Sequence, residues 1–335
     1  MTDETSTSLR RSSAGGAQAR WPDLSERSDR ETFATLHLWT QIVGKIRLET
    51  TPWTNHSWHV PLYVSPRGLE TSTLWLDGVA FEMVFDLRSH ALMIETSDGD
   101  RRSVPLAPGS VADFYAAVLA ELRGLGLKPR IDTRPSEIEG GIRFERDARQ
   151  RPYDPHAAQR LWRALLDIDR VFHRFRAAFL GKSSPVHFFW GSFDLAVTRF
   201  SGRTAPPHPG GVPALPDWVA REAYSHEVSS AGFWPGDPDG EAPLFYSYAY
   251  PQPDGFVDAV VQPSAARWSD ALGEFVLPYA DVRNADDPEA ALWMFLTSTY
   301  EAAADRAAWD RAALERSPED LPPPIARRLF EGGAD

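Results

Sequence analysis

The sequence predicts an α+β protein in which antiparallel β-sheets are packed by amphipathic helices. Its composition, 42% hydrophobic and 12% aromatic over 335 residues, is sufficient for a large buried core. The 23 glycines and 28 prolines favour many turns over a helical bundle. The predicted strands also do not alternate regularly with helices, which disfavours a doubly wound parallel sheet.

Charge and composition exclude several classes of protein and site. The formal net charge of −12 argues against a nucleic-acid binder, because recognition of a phosphate backbone needs clustered positive charge. The absence of cysteine excludes disulfides, thiolate nucleophiles, zinc–thiolate centres and cysteine-ligated clusters. No segment approaches the roughly 20 apolar residues of a membrane span, and the first residues lack the apolar core of a secretory signal. We therefore expect a cytoplasmic protein with no membrane partner.

The first half of the chain, residues 21–150, follows a predicted disordered tail at 1–20. Its first helix is predicted to begin with a capping box formed by Ser28 and Glu31. Apolar residues then recur at helical spacing, at Phe33, Leu36, Trp39, Val43 and Ile46. The period changes to two over 58–64, which predicts a strand with His59 and Tyr63 opposite its apolar face. Further predicted elements are strands at 81–85, 91–96 and 102–106, a hairpin turn at Asp98-Gly99, and a helix capped by Ser110 that runs to about Leu122.

The second half, residues 151–315, repeats this order and is followed by a predicted flexible end at 316–335. Asp154-Pro155 and Asp287-Pro288 each begin a helix, with an N-cap acceptor followed by proline. The first of these helices is predicted to end at Gly181, and it carries the stripe Leu161, Leu165, Ile168, Phe172, Phe175 and Phe179. Strands are predicted at 185–200, 224–234, 243–250 and 274–283, with a Pro- and Gly-rich loop at 201–217. We expect two similar helix–sheet–helix halves that form one compact unit.

Several long runs of residues resemble a known family. They are TLHLWTQIVGKIRL (35–48), NHSWHVPLYV (55–64), SPVHFFWGSFDLAVTRFSGR (184–203), AYSHEVSSAGFWPG (223–236) and FYSYAYPQP (245–253). On these motifs the chain resembles the bacterial domain-of-unknown-function family numbered 5996, from Trp21 to about Glu315. The resemblance implies no activity and no catalytic residue, so the functional interpretation rests on the residues themselves.

The segment 182–203 suggests a site for an anion. Lys182, Arg199 and Arg203 offer cationic donors near one strand, and paired arginines suit bidentate binding of a carboxylate or phosphate. Candidates to line the pocket are Trp190, Trp234 and Tyr248. The alternative is that the arginines form structural ion pairs with surplus carboxylates.

His187 and His226 are the candidate proton donors or acceptors. On an unbroken strand His187 and Asp194 lie on opposite faces, whereas a bulge at Gly191-Ser192 brings them to the same side. Glu227 follows His226 directly and points to the other face, so Asp194 is the predicted partner of His226. The alternative for His226 is a histidine hydrogen-bonded within a sheet.

Three other polar groups invite interpretation. His56 and His59 are three residues apart, and on a strand they cannot bind one metal ion unless the backbone turns there. Glu82, Asp86 and Glu95 come from adjacent strands and form either a cation site or a solvated sheet face. The first helix carries a polar stripe, at His37, Gln41 and Lys45, which is either its solvated edge or a set of groups directed into a cleft.

The chain contains no G-x-G-x-x-G, P-loop, H-E-x-x-H or G-x-S-x-G motif and indicates no particular cofactor. Our leading hypothesis is a protein that binds a small, anionic, partly apolar molecule in an aromatic-lined pocket of the second-half sheet, with acid–base turnover as an extension. A second is a metal-dependent enzyme with ligands from His187, Asp194, His226 and Glu227. A third is an interaction scaffold that uses the loop 201–217.

Overall fold

The structure consists of helices and antiparallel β-sheets, so the α+β prediction is confirmed. It is a computed structural model that describes residues 20–331. The α-helices are α1 (Arg27–Thr50), α2 (Val111–Gly124), α3 (Pro155–Ala177), α4 (Asp217–Ala223), α5 (Tyr279–Arg283), α6 (Pro288–Arg306), α7 (Arg311–Leu314) and α8 (Pro323–Ala326). No helix within these residues is long and apolar enough to cross a membrane.

The strands form two six-stranded sheets and one short ladder. They are β1 (Tyr63–Ser65), β2 (Gly68–Glu70), β3 (Leu74–Leu76), β4 (Val79–Asp86), β5 (Ala91–Thr96), β6 (Arg101–Pro105), β7 (Gly109–Ser110), β8 (Gln150–Arg151), β9 (His187–Phe189), β10 (Asp194–Thr204), β11 (His226–Trp234), β12 (Leu244–Tyr250), β13 (Arg267–Ser269) and β14 (Glu274–Pro278). The first sheet has the order β1-β2-β4-β5-β6, with β3 also paired to β4. The second has the order β13-β14-β12-β11-β10-β9, and β7 pairs with β8.

Three of the four predicted helix starts are confirmed. Ser110, Asp154 and Asp287 each accept a hydrogen bond from a backbone N–H in the first turn. The capping box at Ser28 is wrong, because α1 already begins at Arg27 and the Ser28 hydroxyl donates to the Glu26 carboxylate. The start of this helix is instead tied to a distant loop, through Arg30 Nε, which donates to the carbonyl of Asp237 at 2.9 Å.

Two predicted strands are wrong in a way that matters for the site. The segment 58–62 is not a strand, because the backbone turns at His56 and Ser57, which have φ of 60° and 59°. Regular strand structure resumes only at Tyr63. The predicted strand 185–200 is a hairpin of β9 and β10, whose turn contains Phe193 at φ 62°.

Two other predicted elements, a helix and a strand, end earlier in the structure than the sequence predicts. Helix α3 ends at Ala177 rather than at Gly181, because the chain then pairs with the segment after α7 through a Phe179–Glu315 bridge. The predicted strand 274–283 stops at Pro278 and continues as α5.

The hydrophobic core is continuous across both halves. Helix α3 packs on β1 of the first sheet and on β10 of the second, and also against α1 and α6. Its predicted stripe is buried from Leu161 to Phe179. One side of the second sheet therefore faces α3 and α6, and we call the opposite side its outer side.

The loop predicted at 201–217 begins only after Thr204, and it is held against the second sheet by side-chain contacts. Residues up to Thr204 continue β10. The rest lies over the outer side, where Tyr250 Oη donates to the Pro206 carbonyl at 3.0 Å and the His208 ring stacks on Tyr224 at 4.7 Å.

The chain ends were predicted to be disordered or flexible, and most of the N-terminal tail lies outside the described residues. Arg20 is described, and its guanidinium contacts Asp167 and Glu289. Residues 316–331 form short helical turns beside α3, where Arg174 Nε donates to the Leu329 carbonyl at 3.3 Å. Residues 332–335 are again outside the description.

Candidate functional site

Arg47, in the last turn of α1, is a buried cation without a carboxylate. Only 5% of the residue is exposed. Its Nη1 donates to Ser72 Oγ at 3.1 Å, and its guanidinium lies 5.7 Å from the centroid of the Tyr63 ring. Its Nε has no hydrogen-bond partner, and no carboxylate within the described residues lies in ion-pair distance. Burial lowers the pKa of Arg47, because desolvation penalises the charged form.

His187 lies beside this arginine and is equally isolated. Its ring is fully buried and packs edge-to-face with three aromatic rings. The distances between ring centroids are 6.0 Å to Trp58, 5.7 Å to Tyr63 and 5.4 Å to Phe189. Neither ring nitrogen has a hydrogen-bond partner. Burial, reinforced by the charges of Arg47 and Arg176, lowers the pKa of His187 to about 3. The imidazole is therefore neutral near pH 7, with one N–H to donate and one lone pair to accept.

The loop between α1 and β1 adds two more unpartnered groups. His59 Nδ1 accepts the backbone N–H of Thr54 at 3.2 Å, which places the ring proton on Nε2. That Nε2 is buried without a partner, and so is the Ser57 hydroxyl. Burial lowers the pKa of His59, so this ring is also a neutral donor. We call Arg47, Ser57, His59, Tyr63 and His187 the Arg47–His187 site.

A second pair of basic groups lies next to it. Lys182 Nζ contacts His56 Nε2 at 2.6 Å, while His56 Nδ1 donates to the Ala223 carbonyl at 2.9 Å. Lys182 also lies over the rings of Trp58 and Phe200, at 5.1 and 4.8 Å. Among the described residues neither Lys182 nor Arg176 has a carboxylate in ion-pair distance, so this part of a strongly acidic protein is locally basic.

Two of the predicted catalytic residues do lie on the same side of the sheet. His187 pairs with Ala196 and Phe189 with Asp194, so both His187 and Asp194 are on the outer side. A hairpin rather than a bulge produces this arrangement. Their side chains nevertheless have different neighbours, since Asp194 accepts from Ser192 and Tyr246.

The predicted pairing of His226 with Asp194 is wrong. His226 is opposite Thr204, at the other end of β10 from Asp194, which is roughly 30 Å at the usual strand rise. His226 Nδ1 instead lies 3.1 Å from Ser225 Oγ, and its ring is 5.8 Å from that of His56.

The two predicted arginine anchors do not converge. Arg199 faces α3 and α6, where its guanidinium lies 3.5 Å from the Phe175 ring centroid and 4.3 Å from that of Tyr300. Arg203 lies four residues further along β10, also toward α6, where it donates to Glu227 and to the carbonyl of Ala307 at the end of that helix. It lines a cleft of about 430 Å³, but it is already paired there.

The remaining predicted pocket residues occupy separate positions. Trp190 donates Nε1 to the Val60 carbonyl at 2.9 Å and packs on Gly44 of α1. Trp234 ends β11 on the outer side, level with Asp194. Tyr248 lies 2.8 Å from the hydroxyl of Tyr224.

Tyr248 belongs to a second polar group on the outer side, which we call the acid–tyrosine cluster: Asp194, Glu137, Glu274, Tyr224, Tyr246 and Tyr248. Burial and the nearby charge of Asp194 raise the pKa of both Glu137 and Glu274 to about 7. Burial also raises the pKa of Asp194, against the hydrogen bonds from Ser192 and Tyr246. Tyr246 crosses β11 above Gly232 to reach this carboxylate.

The polar stripe of α1 is directed into the protein. Gln41 donates to the carbonyls of Ser136 and Gly191 at 2.9 and 3.1 Å and accepts the Ser136 N–H, and Lys45 donates to Ser136 Oγ at 3.0 Å. His37 donates to the Gly191 carbonyl at 2.9 Å. The stripe therefore clamps two loops onto α1.

The carboxylates of the first sheet form ion pairs. Glu82 pairs with Arg67, and Glu95 with Arg101. Asp86 pairs with its neighbour Arg88. Within residues 20–331 no three His, Asp or Glu side chains are placed to bind one metal ion. The predicted metal ligands His187, Asp194, His226 and Glu227 therefore do not form a metal site.

Sequence reasoning did not select Arg47. It follows Ile46 of the apolar stripe, and a basic residue beside a buried position is the signal that was available. For the run His56-Ser57-Trp58-His59, strand geometry argued against a shared metal ion unless the backbone turns; the backbone does turn there, but His56 and His59 have different partners.

Comparison with known proteins identifies a family but no activity. A family model described as a family of unknown function (DUF5996) matches residues 21–316, so the chain belongs to that family. Neither the curated proteins nor the solved structures contain a match.

Proposed function

We propose that this DUF5996 protein binds a small organic anion at the Arg47–His187 site, with the anionic group at Arg47 and the apolar body among the surrounding rings. The observation that carries the proposal is the buried guanidinium of Arg47 with no carboxylate partner. A buried, uncompensated charge costs several kcal/mol, and such a charge is retained where a ligand supplies the missing partner.

The chemistry of the neighbouring groups supports an anion. Arg47 Nε–H, His59 Nε2–H and the Ser57 hydroxyl are donors without acceptors. A carboxylate or phosphate offers several lone pairs and satisfies such donors together. His187 adds a neutral imidazole, which donates or accepts a further hydrogen bond without adding charge.

The walls of the site support a partly aromatic body. Trp58, Tyr63 and Phe189 surround His187 with ring edges, and Phe200 continues this surface toward Lys182. Rings of this kind bind apolar or aromatic groups by offset or edge contacts. The ligand class is thus an aromatic or apolar carboxylate or phosphate ester.

The backbone of the loop also supports a binding role. His56 and Ser57 both have left-handed backbone angles, which are unfavourable for residues with a side chain. Strain of this kind is concentrated at functional sites, where the surrounding structure holds it.

Calorimetric titration with phenyl phosphate and benzoate tests the proposal, with benzyl alcohol as the neutral counterpart. The wild type should bind the two anions and not the alcohol. Arg47→Met should abolish this binding while the free energy of unfolding of the unliganded protein stays the same or rises by up to about 2 kcal/mol, because an unpaired buried charge is removed. Arg199→Met, another buried arginine outside the site, is the matched control and should retain binding.

Histidine NMR gives an independent measurement on the same protein. With a pKa of about 3, the His187 imidazole should not titrate between about pH 5 and pH 8, and phenyl phosphate should shift its ring resonances but not those of His226. Equal binding by the wild type and Arg47→Met, or no preference for the anions over benzyl alcohol, would overturn the proposal.

A further inference from the structure

A basic groove runs along the C-terminal half of α3. It has a volume of about 990 Å³ and lies between the last turns of α3 and the chain segment 316–329. Its walls carry five arginines, and the one carboxylate among its described lining residues is Asp169, which lies 3.5 Å from His173. We call it the α3 groove.

Three of the arginines have no carboxylate partner within the described residues. Arg176, Arg316 and Arg328 donate only to backbone carbonyls, at 2.6, 3.0 and 3.3 Å. The other two, Arg170 and Arg174, share the carboxylate of Glu289. The formal net charge of the chain is −12, so a concentration of uncompensated guanidinium groups in one groove marks a local reversal of charge.

The groove is also apolar between its arginines. Leu321, Ile325 and Leu329 line it, and Ile325 is 44% exposed. The groove has no exposed Phe, Tyr or Trp ring among its described lining residues, since Phe179 is buried, and His173 is its one exposed ring. Arginines with intervening aliphatic side chains suit a peptide that carries both carboxylates and apolar side chains.

We propose that the α3 groove is a docking site for an acidic peptide segment with interspersed leucine-like side chains. The partner carboxylates pair with Arg176, Arg316 and Arg328, and its apolar side chains cover Leu321 and Ile325. The residues Arg47, His59 and His187 of the small-anion site do not line the groove, although Arg176 of the groove lies close enough to His187 for its charge to act on that ring.

Fluorescence anisotropy of the full chain with a short fluorescein-labelled peptide of glutamates and leucines tests the proposal. The double variant Arg316→Glu/Arg328→Glu should weaken binding about tenfold or more, and binding to the wild type should weaken as salt is added. Arg130→Glu/Arg134→Glu, at two exposed arginines outside the groove, is the matched control and should bind as the wild type does. Thermal unfolding of each variant verifies that the fold is retained.

The apolar contribution is tested by Leu321→Ser/Ile325→Ser, which should lose affinity for this peptide while phenyl phosphate binding is unchanged. Three results would overturn the proposal. One is that the wild type binds polyglutamate, which contains no leucine, as tightly as it binds the peptide of glutamates and leucines. Binding would then come from long-range electrostatic attraction alone. Another is unchanged affinity in the Arg316/Arg328 variant. The third is a wild-type dimer in light scattering that this variant dissociates, since a second copy would then occupy the groove.

Discussion

Lys182 Nζ lies 2.6 Å from Nε2 of His56, and this contact joins two segments that are 126 positions apart. His56 accepts from Lys182 because its Nδ1 already donates to the Ala223 carbonyl, 2.9 Å away. Both partners of His56 belong to the second half of the chain. They hold the loop between α1 and β1 in its left-handed turn, and that turn leads to His59, which lies close enough to Arg47 for the guanidinium charge to lower the pKa of His59.

Ser57→Gly should raise the stability of the unliganded protein by about 1 kcal/mol, because glycine adopts a φ of 59° without the steric cost that serine has. The same change should weaken phenyl phosphate binding, since the Ser57 hydroxyl is lost. Urea unfolding and calorimetry measure the two effects. Ser97→Gly, at an exposed turn position with ordinary φ, is the control and should not stabilise. A destabilised Ser57→Gly protein would contradict the interpretation of strain.

Arg199→Ala should destabilise the protein by about 2–4 kcal/mol without changing affinity for phenyl phosphate. The Arg199 side chain is packed between the rings of Phe175, Phe179 and Tyr300 and donates to the Phe175 carbonyl, so its removal leaves a cavity and an unpaired acceptor. Chemical denaturation and titration measure this. If Arg199→Ala instead kept its stability and lost phenyl phosphate binding, the anion site would lie at Arg199 in the second-half sheet.

Gly232→Ala should cost about 2 kcal/mol, because a Cβ there would lie 2.2 Å from the hydroxyl of Tyr246. The tyrosine would have to leave its hydrogen bond with Asp194. The ring carbons Cζ and Cε1 of Tyr246 would also lie within 2.3 and 2.6 Å of that Cβ, so Gly232→Ala/Tyr246→Phe, which removes only the hydroxyl, should not recover the loss. Gly124→Ala, where the nearest atom is 3.8 Å away, is the control and should be neutral or stabilising. Equal unfolding midpoints for the two glycine variants would show that Tyr246 does not need the open space.

The carboxylates of the acid–tyrosine cluster should make stability fall as pH rises. The folded-state pKa of Glu137 and Glu274 is about 7, above the ordinary value of 4.5, so the folded protein binds more protons than the unfolded chain between these values. Stability from these groups is therefore present below about pH 4.5 and is lost as the pH rises through about 7.

Replacing Glu137 or Glu274 with glutamine removes this dependence. Each variant should be more stable than the wild type by about 1–3 kcal/mol near pH 8 and equally stable near pH 4. Urea unfolding across this pH range measures the difference, with the exposed Glu319→Gln as control. Parallel stability–pH curves for the wild type and both variants would show that these carboxylates ionise normally.

Local sequence signals predicted the elements whose structure depends on neighbouring residues. The caps at Ser110, Asp154 and Asp287 lie within a few residues of the N–H groups that they satisfy, so the three helices were predicted at their starts. The stripe from Leu161 to Phe179 identified the buried side of α3 for the same reason. The hairpin turn in the predicted strand 185–200 was not foreseen, because Phe193 is a residue type that rarely adopts its φ of 62°.

The candidate site was only partly predictable. His187 was selected from sequence and lies on the outer side with Asp194, but a hairpin rather than the expected bulge puts it there, and Arg199 and Arg203 point away from it. Arg47 was not selected because its position after Ile46 of the apolar stripe does not show whether its own side chain is buried or lacks a carboxylate partner. Its partners Ser72 and Tyr63 and its neighbour His187 come from three other segments.

The sequence by itself determined the α+β class, the four long helices α1, α2, α3 and α6, the strands β4, β5, β6, β11 and β12, and the family. Periodicity, capping and turn chemistry act over a few residues, and these features can be read along the chain. Only the tertiary structure decided which charges are compensated. An arginine is paired or isolated according to the side chains that packing brings within a few ångströms, and for Arg47, His187 and Lys182 those side chains come from distant parts of the sequence.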